Sequence, residues 1–443
     1  MTTTQNDRNS NNAPFIYYIE KMKNIKSIHL VIKPCDGKSF YYFNVKSTHH
    51  SYQIDIKNIQ DTTQQYTIDI KLPLHCKIDP RSTIHNLESN NILSNNNSIE
   101  IKSSLLIDDT NFDQHLYQDD VLQDHHSIAL DRIDSLKSSL FDNSSHSSNI
   151  YCKYCFNTFI NEQQQQQEEW KVKLLPSSNW VDLMDIWLCG CTGTTSFTDF
   201  PTSDITSIKQ TCFVGDRYLL FHSDDIDKDH VYSSNSSHSS KIIDKDQQWD
   251  IVQCKLCHSS IGLSNDKQDY KLFKHQLTTS TNISLTDINT SNLFRQYTLE
   301  TYISTYILSE HRSSIIYKFL IVSITDNTVY SMISLLNWET LLLSNFNNID
   351  NDINFKPIIK VLYKNTFLNS GGTDAQDQEK ERQQNQEILK TWSQSHDIKR
   401  IYLLPQDCIA VLSILANSNT IYPHHRKHFK NNNNFNMGYL SLR

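Results

Sequence analysis

The sequence predicts an α+β fold, with a β-rich N-terminal half and a C-terminal half that mixes strands and helices. Three observations lead to this prediction. Short segments rich in β-formers follow one another up to about residue 78. A cysteine-rich centre with polar insertions comes next, and strand and helix patterns alternate after about residue 292. The strand-rich part comes first, which is typical of the α+β class.

Composition limits the possible functions. The chain has 443 residues and a mass of 51.6 kDa, which suits two or three domains. The net charge is -8, so we expect no nucleic-acid binding driven by phosphate neutralisation. There is no long apolar run, and the N-terminus is polar without an apolar signal region, so we expect no membrane span and a cytoplasmic or nuclear location. In those reducing compartments, ten cysteines indicate metal binding, reactivity or burial rather than disulfides.

Shifts in composition divide the chain into five parts. The predicted parts are a disordered tail (1–14), a β-rich N-terminal domain (15–108), an acidic and Ser-rich insertion (109–149), a Cys-rich region with low-complexity insertions (150–292) and an α+β C-terminal region (293–443).

The first domain is predicted to be a meander of short antiparallel strands. The segments "SIHLVIK", "SFYYFNVK", "SYQIDI" and "QYTIDIKL" alternate or are rich in β-formers, and polar residues separate them. The runs 161–169 and 227–246 in the Cys-rich region are polar and read as surface insertions.

The C-terminal region is predicted to contain helices and strands in alternation. "QYTLETYISTYILSEHR" has helical spacing, "IIYKFLIVSI" and "TVYSMISLLNW" read as a hairpin, and "KPIIKVLYK" and "FNMGYLSL" read as strands. "GGTDAQDQEKERQQNQ" is interpreted as a solvated linker that leads into a helix ending near Trp392. "LPQDCIAVLSILANSN" is predicted to be a helix with Pro405 in its first turn.

Two near-copies of one cysteine motif stand at residues 151–155 ("YCKYC") and 253–257 ("QCKLC"). A CxxC turn presents two thiolates, and two such turns complete a four-sulfur shell for zinc. Because the pairs are far apart, the ion would fasten the ends of the intervening stretch, giving a zinc-stapled centre. The alternatives are two unrelated pairs of buried cysteines, or a redox role, which the lack of a βαβ context disfavours. The predicted structural zinc ligands are Cys152, Cys155, Cys254 and Cys257.

A second cysteine motif, "WLCGC", offers Cys189 and Cys191 as possible additional metal ligands. Cys212 and His222 could complete such a set, but the spacing does not require it, and local packing is the favoured interpretation. The segment before it is predicted to be an amphipathic helix. Its apolar face would consist of Trp180, Leu183, Met184 and Trp187.

Taken in order, "YCKYC", "LPSSNWVDLMDIWLC", "CFVGDRYLLFH" and "CKLCHSSIG" resemble the HECT-like proteins that bind ubiquitin-conjugating enzymes. The segments "LLNWETLLL", "IKVLYK" and "LPQDCIAVLSILANSNTIYP" are similar to that family as well. The order of the motifs carries the resemblance. One departure is that Gly190 follows Cys189, where members of the family often have a histidine.

The resemblance implies a HECT-like ubiquitin ligase or ligase-like adaptor, with a ubiquitin-conjugating enzyme, ubiquitin and a protein substrate as partners. It does not imply a bilobal HECT fold, since the C-terminal region is too short. It also implies an alternative, a non-enzymatic chaperone or adaptor that stabilises a partner such as the pre-mRNA 3′-end processing endonuclease.

A HECT mechanism needs an exposed cysteine with a depressed pKa. Outside the metal motifs of the centre, Cys408 is a weak candidate. It shares a helical face with Val411, Leu412 and Leu415, which predicts burial, and Asp407 disfavours its thiolate. The catalytic residue is therefore left open. The histidines of "PHHRKHF" are interpreted as part of a solvated basic segment rather than a metal or base cluster.

Overall fold

A computed structural model gives the fold of the chain. The structure describes residues 15–22, 26–35, 41–58, 65–73, 76–82, 84–86, 98–106, 137, 140–142, 147–148, 150–160, 170–175, 206–215, 217–233, 242–244, 247–265, 268–279, 293–294, 297–345, 355–366, 375–395, 397–429 and 435–442.

The described part of the chain is β-rich and contains four α-helices. The N-terminal strands are β1 (Phe15–Met22), β2 (Ser27–Pro34), β3 (Tyr41–Ser47), β4 (Ser51–Asn58), β5 (Gln65–Lys71), β6 (Ile84–Asn86) and β7 (Ile99–Ser104). The central strands are β8 (Phe141–Asp142), β9 (Ser147–Ser148), β10 (Tyr151–Cys152), β11 (Lys171–Leu174), β12 (Thr211–Val214), β13 (Tyr218–His222), β14 (Val231–Ser233), β15 (Ile242–Asp244), β16 (Gln247–Cys254), β17 (Ser260–Asn265), β18 (Asp269–Phe273) and β19 (Leu277–Thr278). The C-terminal elements are α1 (Leu299–Ser314), β20 (Lys318–Ser323), β21 (Val329–Ser344), β22 (Lys356–Asn365), α2 (Ala375–Ser393), β23 (Ile398–Leu403), α3 (Pro405–Asn419), α4 (His424–Lys427), β24 (His428–Phe429) and β25 (Phe435–Ser441).

One ten-stranded sheet joins the two ends of the chain. Its main path runs β24-β25-β22-β21-β1-β2-β7-β6, and β20 pairs with both β21 and β23. The long strand β21 makes the connection, because its first half pairs with β20 and its second half pairs with β1. The predicted parts 15–108 and 293–443 therefore share a sheet.

Alternation along the strands decides what covers each face of this sheet. Phe319 and Ile321 of β20 face α1 and α3, while Leu320 and Val322 face α2 on the other side. At the N-terminal end, the three-stranded sheet β3-β4-β5 packs on β1, β2 and β7. Strand β4 buries every second residue, as its sequence predicts.

The C-terminal helices follow from local sequence. Thr298 caps α1, since its hydroxyl accepts a hydrogen bond from the N–H of Thr301 at 3.1 Å. Pro405 occupies the first turn of α3, as predicted. The prediction of a linker before Trp392 is wrong in extent, because the structure is helical from Ala375 onward. Its Gln, Glu and Lys residues are good helix formers, and Ile388, Leu389 and Trp392 dock the helix on the sheet.

The central region forms an eight-stranded sheet in the order β11-β12-β13-β18-β17-β16-β14, with β15 also paired to β16. Its core reaches into the end of the predicted insertion 109–149, where Leu140 and Phe141 are buried and Phe141 stacks on Trp170 at 4.4 Å between ring centroids. The predicted tail 1–14, the run 161–169 and most of 109–149 lie outside the described residues. In the described part, no helix is long and apolar enough to cross a membrane.

Candidate metal centre

Two turns with the same backbone geometry carry the four cysteines predicted to bind metal. The first knuckle, residues 152–157, begins at the end of β10, and the second knuckle, residues 254–259, begins at the end of β16. In each turn, the N–H of the residue after the second cysteine donates to the carbonyl of the first cysteine at 2.9 Å. That residue is Phe156 or His258, with φ of 59° or 58°. The repeated motif therefore folds into a repeated local structure.

A neighbouring backbone segment anchors each knuckle in the same way. The N–H of Lys153 donates to the carbonyl of Gln276, and the N–H of Lys255 donates to the carbonyl of His230, both at 3.0 Å. His230 falls inside the run 227–246 that the sequence suggested was a surface insertion. This is a correction, because that run contains β14 and β15, both of which pair with β16.

The two knuckles bring the four sulfur atoms into one cluster. All four Sγ atoms lie within 4.8 Å of one another. Cys152 and Cys257 are 3.6 Å apart, and Cys155 and Cys254 are 3.5 Å apart, measured between Sγ atoms. A tetrahedral shell with zinc–sulfur bonds of about 2.3 Å needs sulfur separations of about 3.8 Å. The donor set and its spacing therefore fit one tetrahedral metal ion.

A polar side chain crosses from each knuckle to the other. The amide Nδ2 of Asn157 donates to Cys254 Sγ at 3.4 Å. Ser259 Oγ lies 3.5 Å from Cys152 Sγ and 3.0 Å from Cys257 Sγ. Both residues stand five positions after the first cysteine of their own knuckle and contact the first cysteine of the other. Sequence reasoning missed them, although the repeat does place a polar residue at this position in both copies.

The thiols differ in their readiness to lose a proton. Burial raises the pKa of Cys155, and burial also raises that of Cys152 despite the opposing hydrogen bond from Ser259. The pKa of Cys257 is lowered to about 7. Burial opposes this change, but hydrogen bonds from the side chain and backbone of Ser259 and from the thiols of Cys155 and Cys152 outweigh it. Binding of a cation would displace the remaining protons, since thiolates are the ligands.

The cluster stands at the edge of the central core. Cys152 and Cys254 are fully buried in that core, and Cys155 and Cys257 pack against it. Strands β11 to β16 lie between the knuckles in the chain, so an ion held by both knuckles would fasten the two ends of this stretch. Nearby, the ammonium groups of Lys153 and Lys255 donate to backbone carbonyls, at 3.3 and 2.7 Å.

Comparison with known protein families identifies the family of the chain around this cluster. The family described as HECT-like Ubiquitin-conjugating enzyme (E2)-binding matches residues 20–434, nearly the whole chain. The chain belongs to this HECT-like family. The family assignment agrees with the resemblance inferred from the order of the motifs. A comparison with curated proteins returned no match.

Cys408 of this HECT-like protein is fully buried on α3, as its helical spacing predicts. Its thiol donates to the carbonyl of Leu403 at 3.8 Å. Burial raises its pKa to about 12, and the carboxylates of Asp407 and Asp326 act in the same direction. The geometry therefore disfavours the thiolate that a thioester mechanism requires.

The other cysteines have different surroundings. Cys76 and Cys212 are buried, and burial raises the pKa of Cys212. Cys35 is exposed at the end of β2, and sequence reasoning overlooked it as a candidate thiol. Cys189 and Cys191, with the tryptophan-rich helix predicted before them, lie outside the described residues. In the described ranges, the four knuckle cysteines are the single group of three or more potential metal ligands, which does not include Cys212 and His222.

The three histidines near the C-terminus are exposed, as their interpretation as part of a solvated basic segment predicts, and His425 in addition contacts an ion cluster around Glu100. His425 Nε2 lies 2.9 Å from Glu100 Oε1, and Arg426 donates to Glu100 Oε2 at 2.6 Å. His29 is 3.5 Å from the same carboxylate, and His428 contacts Asn436 at 2.7 Å. The local motif does not predict the contact of His425, because its partner Glu100 lies on β7, more than 300 residues away in the chain.

Proposed function

We propose that this protein binds a ubiquitin-conjugating enzyme and promotes protein ubiquitination, as a ligase or as a ligase-like adaptor. The observation that carries the proposal is the family match over residues 20–434. Both knuckles lie inside this range, so we expect them to stabilise the part of the protein that carries the proposed activity.

The surroundings of the described cysteines favour the adaptor over the thioester enzyme. A thioester mechanism needs an accessible, nucleophilic thiol. Cys408 is buried with a raised pKa, and the knuckle thiols face one another in a cluster. In the described part of the chain, Cys35 is the exposed cysteine outside that cluster. We therefore expect the conjugating enzyme to transfer ubiquitin directly while this protein holds it.

We propose zinc as the ion of the knuckles, held by Cys152, Cys155, Cys254 and Cys257. Four thiolates form a closed shell, which is typical of structural zinc and leaves no position for a substrate. The ion would supply a cross-link and offset half of the negative charge of the four thiolates. Thiolate ligation needs reduced cysteines, so we expect the protein in the cytoplasm or nucleus.

An in vitro ubiquitination assay with a panel of conjugating enzymes tests this function. We expect ubiquitin transfer in the presence of at least one enzyme, without a reducing-agent-sensitive ubiquitin adduct on this chain. Cys35→Ala, Cys408→Ala and a Cys189→Ala/Cys191→Ala double variant should keep the activity. An adduct lost in one of these variants would establish a thioester enzyme. Absence of transfer with every enzyme would contradict the proposal and favour the alternative, a chaperone or adaptor for the pre-mRNA 3′-end processing endonuclease.

A further inference from the structure

The tips of the two knuckles expose large apolar side chains. Tyr154 and Leu256 occupy the same position of the repeated motif and are 63% and 66% exposed. Phe156, two residues after Tyr154, is 39% exposed. We call these three residues the knuckle patch. Single exposed apolar residues are normal on protein surfaces, but a group built on one rigid feature is a mark of an interaction site.

The sulfur cluster joins the two turns that carry these side chains. Leu256 directly precedes Cys257, whose Sγ is 3.6 Å from Cys152 Sγ in the other knuckle. Tyr154 stands between the two cysteines of the first knuckle. The turns are fixed by their hydrogen bonds to Gln276 and His230, so the patch keeps its shape before a partner arrives. A preorganised aromatic and aliphatic patch loses little conformational entropy on binding.

The small net charge of the two knuckles also permits contact with an apolar surface of a partner protein. Four thiolates around a divalent ion carry a net charge of about −2. Each knuckle also carries one exposed lysine, Lys153 or Lys255, whose cationic side chain offsets part of that charge. The knuckles then carry a small net charge as a unit, so a partner can cover them without burying a large uncompensated charge.

We propose that the knuckle patch is the surface on which the ubiquitin-conjugating enzyme docks. The inference rests on the proposed function, since the family description names this enzyme class as the bound partner. Tyr154 would be the central anchor, because tyrosine is enriched among the residues that carry most of the binding energy of an interface, and Leu256 would add buried apolar area beside it. The metal would then act in binding by holding both side chains at a set distance.

A second apolar surface gives a matched control. Leu336 of β21 is 45% exposed, near the half-exposed Tyr317. It lies on the ten-stranded sheet, whereas the knuckles begin at the ends of β10 and β16, which belong to other sheets. Leu336→Ser removes the same side chain as Leu256→Ser from a comparably exposed site, and so measures the effect of lost apolar area alone.

The test is a binding titration of the full-length, metal-loaded protein against a panel of purified ubiquitin-conjugating enzymes, with zinc content and melting temperature measured for each variant. We expect Leu256→Ser and Tyr154→Ser each to raise the Kd at least about tenfold, with zinc content and melting temperature unchanged. Leu336→Ser should change the Kd less than about twofold.

Four results would overturn the proposal. Wild-type affinity in both knuckle variants would show that the enzyme docks elsewhere, and an equal loss in Leu336→Ser would show that the effect is not local. Loss of zinc in Leu256→Ser would make this side chain part of the metal clasp rather than a free surface. If the wild-type protein binds no enzyme of the panel, the proposed function itself fails, and the docking assignment fails with it.

Discussion

Cys408 is enclosed by aliphatic side chains of its own helix and of the sheet beneath it. Val411, Leu412 and Leu415 share its buried face, and Asp407 precedes it at the start of α3. A sulfur in this position fills space and makes one weak hydrogen bond. Its role in our account is therefore packing.

The first prediction concerns this residue. Cys408→Ala should lower the free energy of unfolding by about 1 kcal/mol and leave ubiquitin transfer within a few-fold of wild type. Cys408→Arg should unfold the C-terminal part, because it buries an unpaired charge. Chemical denaturation and the transfer assay check both. An alanine variant that folds normally but transfers no ubiquitin would make Cys408 catalytic.

Glu100 is the second residue whose surroundings define a measurable property. Burial raises its pKa, but hydrogen bonds from His29 and His425 and the charge of Arg426 outweigh burial and lower it to about 2. A carboxyl group with a lowered pKa stabilises the folded state above its unfolded pKa, and that stabilisation is lost as the pH falls toward its folded pKa.

We accordingly predict that the difference in unfolding free energy between the wild type and Glu100→Gln depends on pH. At pH 7 the variant should lose about 2 to 3 kcal/mol of unfolding free energy, and the difference should shrink between about pH 5 and pH 2. Urea unfolding of both proteins at pH 7, 5 and 3 checks this. Release of metal in acid affects both proteins, so it cancels in the difference. A difference that stays constant down to pH 3 would contradict the assignment.

The side chains that cross the sulfur cluster provide a third prediction. Asn157→Ala removes a donor to Cys254 Sγ and to the carbonyl of His230, so zinc affinity should fall about 10- to 100-fold while the stoichiometry stays the same. Competition with a chelator of known affinity measures this. Thr158→Ala is the matched control, because its hydroxyl contacts His230 and not a sulfur. Equal affinity in both variants would remove Asn157 from the support of the site.

At the scale of elements, local patterns predict most strands and helices. The alternation in β4 and the helical face of α3 depend only on residues close in sequence, so their burial can be read directly. The run 227–246 was misread, because its serines and charged residues conceal two short strands. Strand β14 is recognisable as a strand only through its pairing with β16, which the local sequence does not predict.

That misreading leads to a prediction about two deletions. Removing residues 236–239 should cost little, because four residues then remain to join Ser233 to Ile242, whose partners on β16 are three positions apart, and loop-closure entropy changes slowly with length. Removing 227–246 also deletes His230, whose carbonyl anchors the second knuckle, and should abolish metal binding. Soluble yield and zinc content distinguish the two variants. Full zinc content in the longer deletion would show that the knuckle folds without β14.

At the scale of the whole molecule, the sequence predicted the α+β class and the grouping of the four knuckle cysteines, but not the long-range arrangement. The duplicated CxxC motif is informative because ligand chemistry restricts the residue type and the spacing. The pairing of β1 with β21 and the contact between Glu100 and Arg426 join segments more than 300 residues apart. Neither leaves a periodic signal in either segment, so only the folded chain reveals them.

We propose that one zinc ion joins the two knuckles, and metal analysis of the purified full-length protein measures whether it does. We expect one equivalent of zinc per chain in the wild type and loss of that zinc in a Cys152→Ser/Cys254→Ser double variant. Less than half an equivalent in the wild type, or full retention in the double variant, would contradict it.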